Sequence, residues 1–134
     1  MTRCTKVLVA TASSNLQKLI CRMLQRSGYS TDEVDSAAAA LEAVRTSDYE
    51  AIVTDMHLPD CCGATLVNSM REAGVATPAI LLVEEETPRV REATNLLYST
   101  QCLASPDLDR LREAVALACA GDGVSEAQTR IREA

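Results

Sequence analysis

Phenylalanine and tryptophan are absent from this 134-residue chain, and tyrosine occurs three times. A core without large rings must be filled by Leu, Val, Ile and Ala, which suits helices packed on a parallel sheet. The same scarcity counts against sites that stack bases or a flavin ring on aromatic side chains. Basic runs are missing too: 13 Lys and Arg stand against 19 Asp and Glu, for a net charge of −6. Nucleic-acid binding draws much of its free energy from counterions released by Lys and Arg, so a protein partner is expected and nucleic-acid contact is not. No apolar run approaches the ~20 residues of a membrane span. The start, Met1-Thr2-Arg3-Cys4, leads straight into a short apolar strand rather than a signal sequence. A cytoplasmic location without membrane contact is expected. The six cysteines (Cys4, Cys21, Cys61, Cys62, Cys102, Cys119) show no CxxC or His/Cys spacing of a metal site. They are read as reduced and mostly buried.

What is present alternates. Short apolar runs at Lys6–Ala10, near 30–34, at Glu50–Asp55, Ala79–Val83 and Gln101–Ala104 are separated by longer helical patterns. In the first pattern, 14–27, Leu16, Leu19, Ile20, Met23 and Leu24 recur at helical spacing and Gly28 stops the helix. Ser36 is a fitting N-cap for an Ala-rich helix over 37–46, and a third helix runs from about 64 to Gly74. Thr87-Pro88 opens a fourth helix to about 97, and Asp107 a fifth to about 120. Five strands alternating with five helices predict an α/β/α sandwich around a parallel sheet, because parallel strands need crossover helices. Right-handed crossovers leave few topologies, among them the flavodoxin-like strand order 2-1-3-4-5. Ligands in such sheets sit at the carboxyl ends of the strands, near the switch in strand order. Here that edge carries Thr11-Ala12, Asp55, Val83-Glu84 and Ser105-Pro106. The domain is read as residues 1–121, with 122–134 a polar tail or the start of a linker helix.

Around Asp55 the chain reads Ala51-Ile52-Val53-Thr54-Asp55-Met56-His57-Leu58-Pro59-Asp60-Cys61-Cys62-Gly63. This buried strand ends in Asp, followed by x-x-hydrophobic-Pro and then Gly four residues later. It resembles the phosphoacceptor segment of bacterial response-regulator receiver domains (the CheY-like superfamily). Gly28-Tyr29, Gly74 with Pro78, and Pro106 after Ser105 extend the resemblance over roughly residues 4–120.

The resemblance implies a phosphorylated Asp and four supporting parts: an acidic pair that helps hold Mg²⁺, a Thr or Ser, a Lys, and an aromatic switch residue. It places the phosphoacceptor at Asp55. At the acidic pair this chain has Thr11 and Ala12; at the hydroxyl and Lys positions it has Val83 and Ser105; at the switch it has Cys102. His57 also lies at the altered site, and no metal ligand set is assigned. Phosphoryl transfer depends mainly on positioning and electrostatic stabilisation. Each lost charge-assisted contact is worth roughly 1.5–3 kcal/mol. A combined loss of ~4–8 kcal/mol slows transfer about 10³–10⁶-fold. Weak or absent Mg²⁺ binding is expected, with no cofactor and no enzymatic activity beyond residual phosphorylation at Asp55.

The leading reading is an atypical receiver acting as a phosphorylation-independent interaction or dimerisation module in two-component signalling. Its partners would be a histidine kinase, an output protein or domain, or a second copy. The docking face would comprise the fourth helix, fifth strand and fifth helix, with Arg89, Arg91, Arg110 and Arg112. One alternative is a weak Asp55 phosphoacceptor with residual Mg²⁺-dependent transfer. Another is a small-ligand or redox sensor, using the hydroxyl-rich segment Thr11–Asn15 or the vicinal Cys61-Cys62.

Overall fold

The computed structural model describes residues 6–84, 87–89, 92, 100–104 and 108–119. Five parallel strands form one sheet in the order β2-β1-β3-β4-β5. They are β1 (Lys6–Ala10), β2 (Ser30–Val34), β3 (Ala51–Asp55), β4 (Ala79–Val83) and β5 (Thr100–Ala104). The helices are α1 (Ser14–Arg26), α2 (Ala37–Thr46), α3 (Gly63–Glu72) and α4 (Leu108–Cys119). α4 is the fifth helix expected from the sequence. Of the expected fourth helix, Pro88, Arg89 and Glu92 are helical, and the rest lies outside the described residues, as do Ser105 and the tail 122–134.

Period-two alternation divides the core. Val7, Val9, Val53, Ile80 and Leu82 face α1 and α4, where they meet Ile20, Leu24, Leu111 and Val115. Leu8, Ile52, Leu81 and Val83 face α2 and α3, where they meet Ala40, Leu66, Val67 and Met70. Strands buried on both faces read as continuous apolar runs, which is why β1, β3 and β4 stand out in the sequence. The cap expected at Ser36 is present. Ser13 accepts from the Leu16 N–H, Ser36 accepts from the Ala39 N–H, and α1 and α3 end at the positive-φ residues Gly28 and Gly74.

β2 is polar because it is the edge strand. It still pairs in register with β1, from Lys6↔Ser30 to Ala10↔Val34. Side chains hold it in place: the Tyr49 hydroxyl donates to Asp32 Oδ2 at 2.6 Å, and the Lys6 ammonium lies 3.3 Å from the same oxygen. Burial, then the Asp32 carboxylate, pushes the Tyr49 hydroxyl from 10.0 up to about 12. Asp32 is held below its ordinary value, first by the Tyr49 hydrogen bond and then by Lys6. A raised folded-state pKa means that Tyr49 contributes its full share of stability below pH 10.0 and loses it as pH rises toward about 12. Tyr49→Phe should therefore cost about 1 kcal/mol near neutrality, discounted for solvent exposure, with the difference vanishing in strong base. Paired urea melts and a tyrosinate absorbance titration check this; equal stability at pH 7 would refute it.

Candidate functional site

The carboxyl edge of the sheet brings the ends of β1 and β3 together at the switch in strand order. Thr11, just past β1, is buried, its N–H held by the Val34 carbonyl at 3.1 Å. Its hydroxyl donates to Asp55 Oδ2 at 3.2 Å and accepts from the Ser13 N–H at 3.1 Å. The other carboxylate oxygen of Asp55, Oδ1, receives a longer bond of 3.4 Å from the His57 N–H. Asp55 is half-buried and thus reachable from solvent. Ala12 is exposed, Val83 closes β4 at 5% exposure, and Glu84 beyond it is exposed. Cys102 stands on β5 opposite Leu81.

The loop after Asp55 turns back on itself. His57 bridges Cys62, the Leu58 N–H meets the Cys61 carbonyl at 3.2 Å, and the Gly63 N–H meets the Met56 carbonyl at 2.7 Å. Gly63 must lie this close: a Cβ there would collide with the Asp55 carbonyl oxygen. The motif's glycine thus has a steric cause. His57 is exposed and brings its backbone, not its ring, to the site.

One contributor was missed from sequence. Asp60 accepts from the Ala37 and Ala38 N–H groups at 2.8 and 2.9 Å, clamping the loop onto the first turn of α2. Those two donors hold its carboxyl below the usual range. The partners lie 22 and 23 residues away, so no local pattern could have revealed them.

The cysteines differ from the expectation. Cys21 is buried, Cys61 and Cys119 are half-buried, and Cys62 is exposed at the N-cap of α3. All four are free thiols. Burial, with a hydrogen bond to Glu33, pushes Cys21 up to about 11. The Thr65 hydroxyl at 3.1 Å, followed by the Thr65 backbone, lowers Cys62 instead. The absence of a basic run near this thiol gave no hint of that, because the donors are a hydroxyl and helix-terminal amides.

Arg89, Arg110 and Arg112 are exposed, and Arg91 lies outside the described residues. Arg112 lines a groove against α1 and does not share a face with Arg110. Two residues span about 200° of a helix, so the two arginines diverge.

Mg²⁺ takes oxygen ligands, carboxylates above all. At the acidic-pair positions the chain offers a hydroxyl already committed to Asp55 and an alanine methyl. Among the described residues, no three His, Cys, Asp or Glu side chains gather as a metal site. The residues present do not fit the ion.

Fold and site together define a doubly wound α/β domain whose β3 aspartate closes the carboxyl edge beside the strand-order switch. The response regulator receiver domain family matches residues 7–116, and the chain belongs to that family. One relative is the sensory/regulatory protein RpfC of Xanthomonas campestris pv. campestris, 26% identical over 110 residues. That match covers 79% of this chain and 15% of RpfC. The transcriptional regulatory protein ResD of Bacillus subtilis is 30% identical over 89 residues, covering 65% of this chain and 37% of ResD. The chain therefore spans well under half of these relatives. Among solved structures, the receiver domain of a LuxO repressor protein from Vibrio parahaemolyticus superimposes with a TM-score of 0.83 at 20% identity. That superposition covers 93% of this chain and 97% of the other, and shows the shared fold. Among the described residues, no helix is long and apolar enough to cross a membrane.

Proposed function

We propose that this receiver serves a bacterial two-component pathway as a cytoplasmic, non-enzymatic interaction module that works without phosphorylation of Asp55. The observation that carries the reading is the 3.2 Å hydrogen bond from Thr11 to Asp55 Oδ2. It places a neutral, fully engaged hydroxyl where the family's chemistry needs a metal-binding carboxylate. Mg²⁺ binding is correspondingly weak, and the domain is constitutively in one signalling state.

Its partners are a histidine kinase, an output protein or domain, or a second copy, met through the face formed by β5 and the adjoining side of α4. Leu117 supports that face: it is 54% exposed and stands seven residues after Arg110, on the same side of α4. Direct nucleic-acid contact forms no part of this reading.

Incubation with acetyl phosphate and Mg²⁺, followed by intact-mass measurement, tests the proposal. No phosphoryl mass gain is expected. A stoichiometric adduct, lost in Asp55→Asn, would establish the weak-phosphoacceptor alternative instead. A redox reading has one observation in its favour, the exposed Cys62 with its lowered thiol pKa. Its neighbour Cys61 is pushed the other way by burial and then by Asp60, so the two thiols are not a matched pair.

A further inference from the structure

Ten residues long, α2 has little to hold it in place. It buries Ala37, Ala40 and Val44, with Leu41 half-buried beside them, where α3 buries Leu66, Val67 and Met70. A helix in a protein draws most of its stability from the packing of its apolar face, and this face is shallow. The first turn of α2 has no acidic residue of its own. The Ser36 hydroxyl, at 3.2 Å, serves the Ala39 N–H, so the two N–H groups before it take their side-chain acceptor from outside the helix.

That acceptor is Asp60. Its Oδ1 receives the Ala37 N–H at 2.8 Å and its Oδ2 the Ala38 N–H at 2.9 Å. Those two amides, Ala37 first, hold the carboxyl below its ordinary value, so it stays charged at neutrality. Asp60 stands at the tip of the loop that leaves Asp55. Pro59 fixes φ just before it, and the Leu58 N–H closes the tip on the Cys61 carbonyl at 3.2 Å. The stem is closed by the His57–Cys62 bridge and by the Gly63 N–H on the Met56 carbonyl at 2.7 Å. At its root the His57 N–H reaches Asp55 Oδ1 at 3.4 Å. Hydrogen-bonded steps thus run from the Asp55 carboxylate to the first turn of α2.

We propose that Asp60 is a latch that couples the Asp55 edge to α2. Latched, its carboxylate joins the loop to the helix. Unlatched, it turns to water, as do the Ala37 and Ala38 N–H groups, and α2 loosens on its shallow packing. Asp60 is exposed, so both states are open to it. A partner that needs an ordered α2 favours the latched state, and with it one arrangement of the loop around Asp55. By linkage, whatever binds the Asp55 edge in that arrangement favours α2 to the same extent. Leu58 shares a buried cluster with Ala37 and Ala40, so side-chain packing is the rival route between the two ends. The latch works whether or not Asp55 carries phosphate, and stands or falls separately from the reading of the site above.

The test uses the full chain, isotopically labelled, with amide shifts and hydrogen exchange followed by NMR. Asp60→Ala is expected to speed exchange in α2 about tenfold or more and to leave α3 unchanged. Asp60→Asn, which keeps one acceptor oxygen, should fall between that variant and the parent. If Asp60→Ala fails to fold, the Asn variant carries the same comparison. Coupling is read by disturbing each end in turn. Asp55→Ala should shift the Ala37 and Ala38 amides, and Ser36→Ala should shift the His57 amide. Both effects should fall several-fold when Asp60→Ala is added. A tie that merely stiffened α2 would change its exchange without blocking those shifts. Exchange in α2 at the parent rate in both Asp60 variants would overturn the proposal. So would shifts that cross undiminished in the Asp60→Ala background, since the packing of Leu58 would then carry them.

Discussion

Gly63→Ala is expected to destabilise the domain by about 3 kcal/mol, a large share of the roughly 5–15 kcal/mol that holds a domain folded. The added methyl has nowhere to go. It would collide with the Asp55 carbonyl oxygen and lie 3.0 Å from Leu81 Cδ2. Neither neighbour can yield cheaply. The Asp55 carbonyl accepts from the Thr54 hydroxyl at 3.1 Å, and the next residue is tied to β4 through the Met56 N–H and the Leu82 carbonyl at 2.9 Å. Leu81 is fully buried in the core under α2 and α3. Gly28→Ala provides the comparison, since Gly28 has φ +94° but nothing within 4 Å of an added Cβ. Its cost is conformational and should be about 1 kcal/mol. Thermal and urea melts should therefore rank the two variants clearly, with a fall in Tm of roughly 10 °C for Gly63→Ala. Equal melting of the two would remove the steric account of the motif's glycine.

The difference between those glycines also marks how far the sequence could be read. The alternation of apolar runs with helical patterns was legible because β1, β3 and β4 are buried on both faces, so each shows as an uninterrupted apolar segment. The cap at Ser36 was legible because a cap bonds to an amide three residues away. β2 read weakly, since an edge strand held by Tyr49 and Lys6 from other segments needs little hydrophobicity of its own. At the site, Thr11 and Asp55 were legible as neighbours on one edge because both stand at strand ends, while the hydrogen bond between them was not. Asp60 was not anticipated, because its acceptor role depends on where the first turn of α2 lies in space. The groove between α1 and α4 was hidden for the same kind of reason. Lys18, Arg22 and Arg26 do not form a run, and only the helical repeat turns them into one row.

Restoring the missing parts should restore the chemistry. The quadruple variant Thr11→Asp, Ala12→Asp, Val83→Thr, Ser105→Lys is expected to accept phosphate from acetyl phosphate at least about 10³-fold faster than the parent, with Mg²⁺ required. Stability offers a second and independent readout. Position 11 is buried, and a carboxylate there would sit beside Asp55 where a neutral hydroxyl now donates to it. Without metal, like-charge repulsion and the lost hydrogen bond should cost on the order of 2 kcal/mol. Mg²⁺ binds the folded state, so it should return about 2.7 kcal/mol at 100-fold over its dissociation constant. The variant should thus melt below the parent in chelator and recover in millimolar Mg²⁺, while the parent melts alike in both. The stability readout separates two kinds of failure. Recovery of stability without phosphorylation would mean that the metal site is rebuilt but the acceptor geometry at Asp55 has drifted. No response to Mg²⁺ at all would mean that the loss extends beyond the four substituted positions, into the backbone of the loops that carry them.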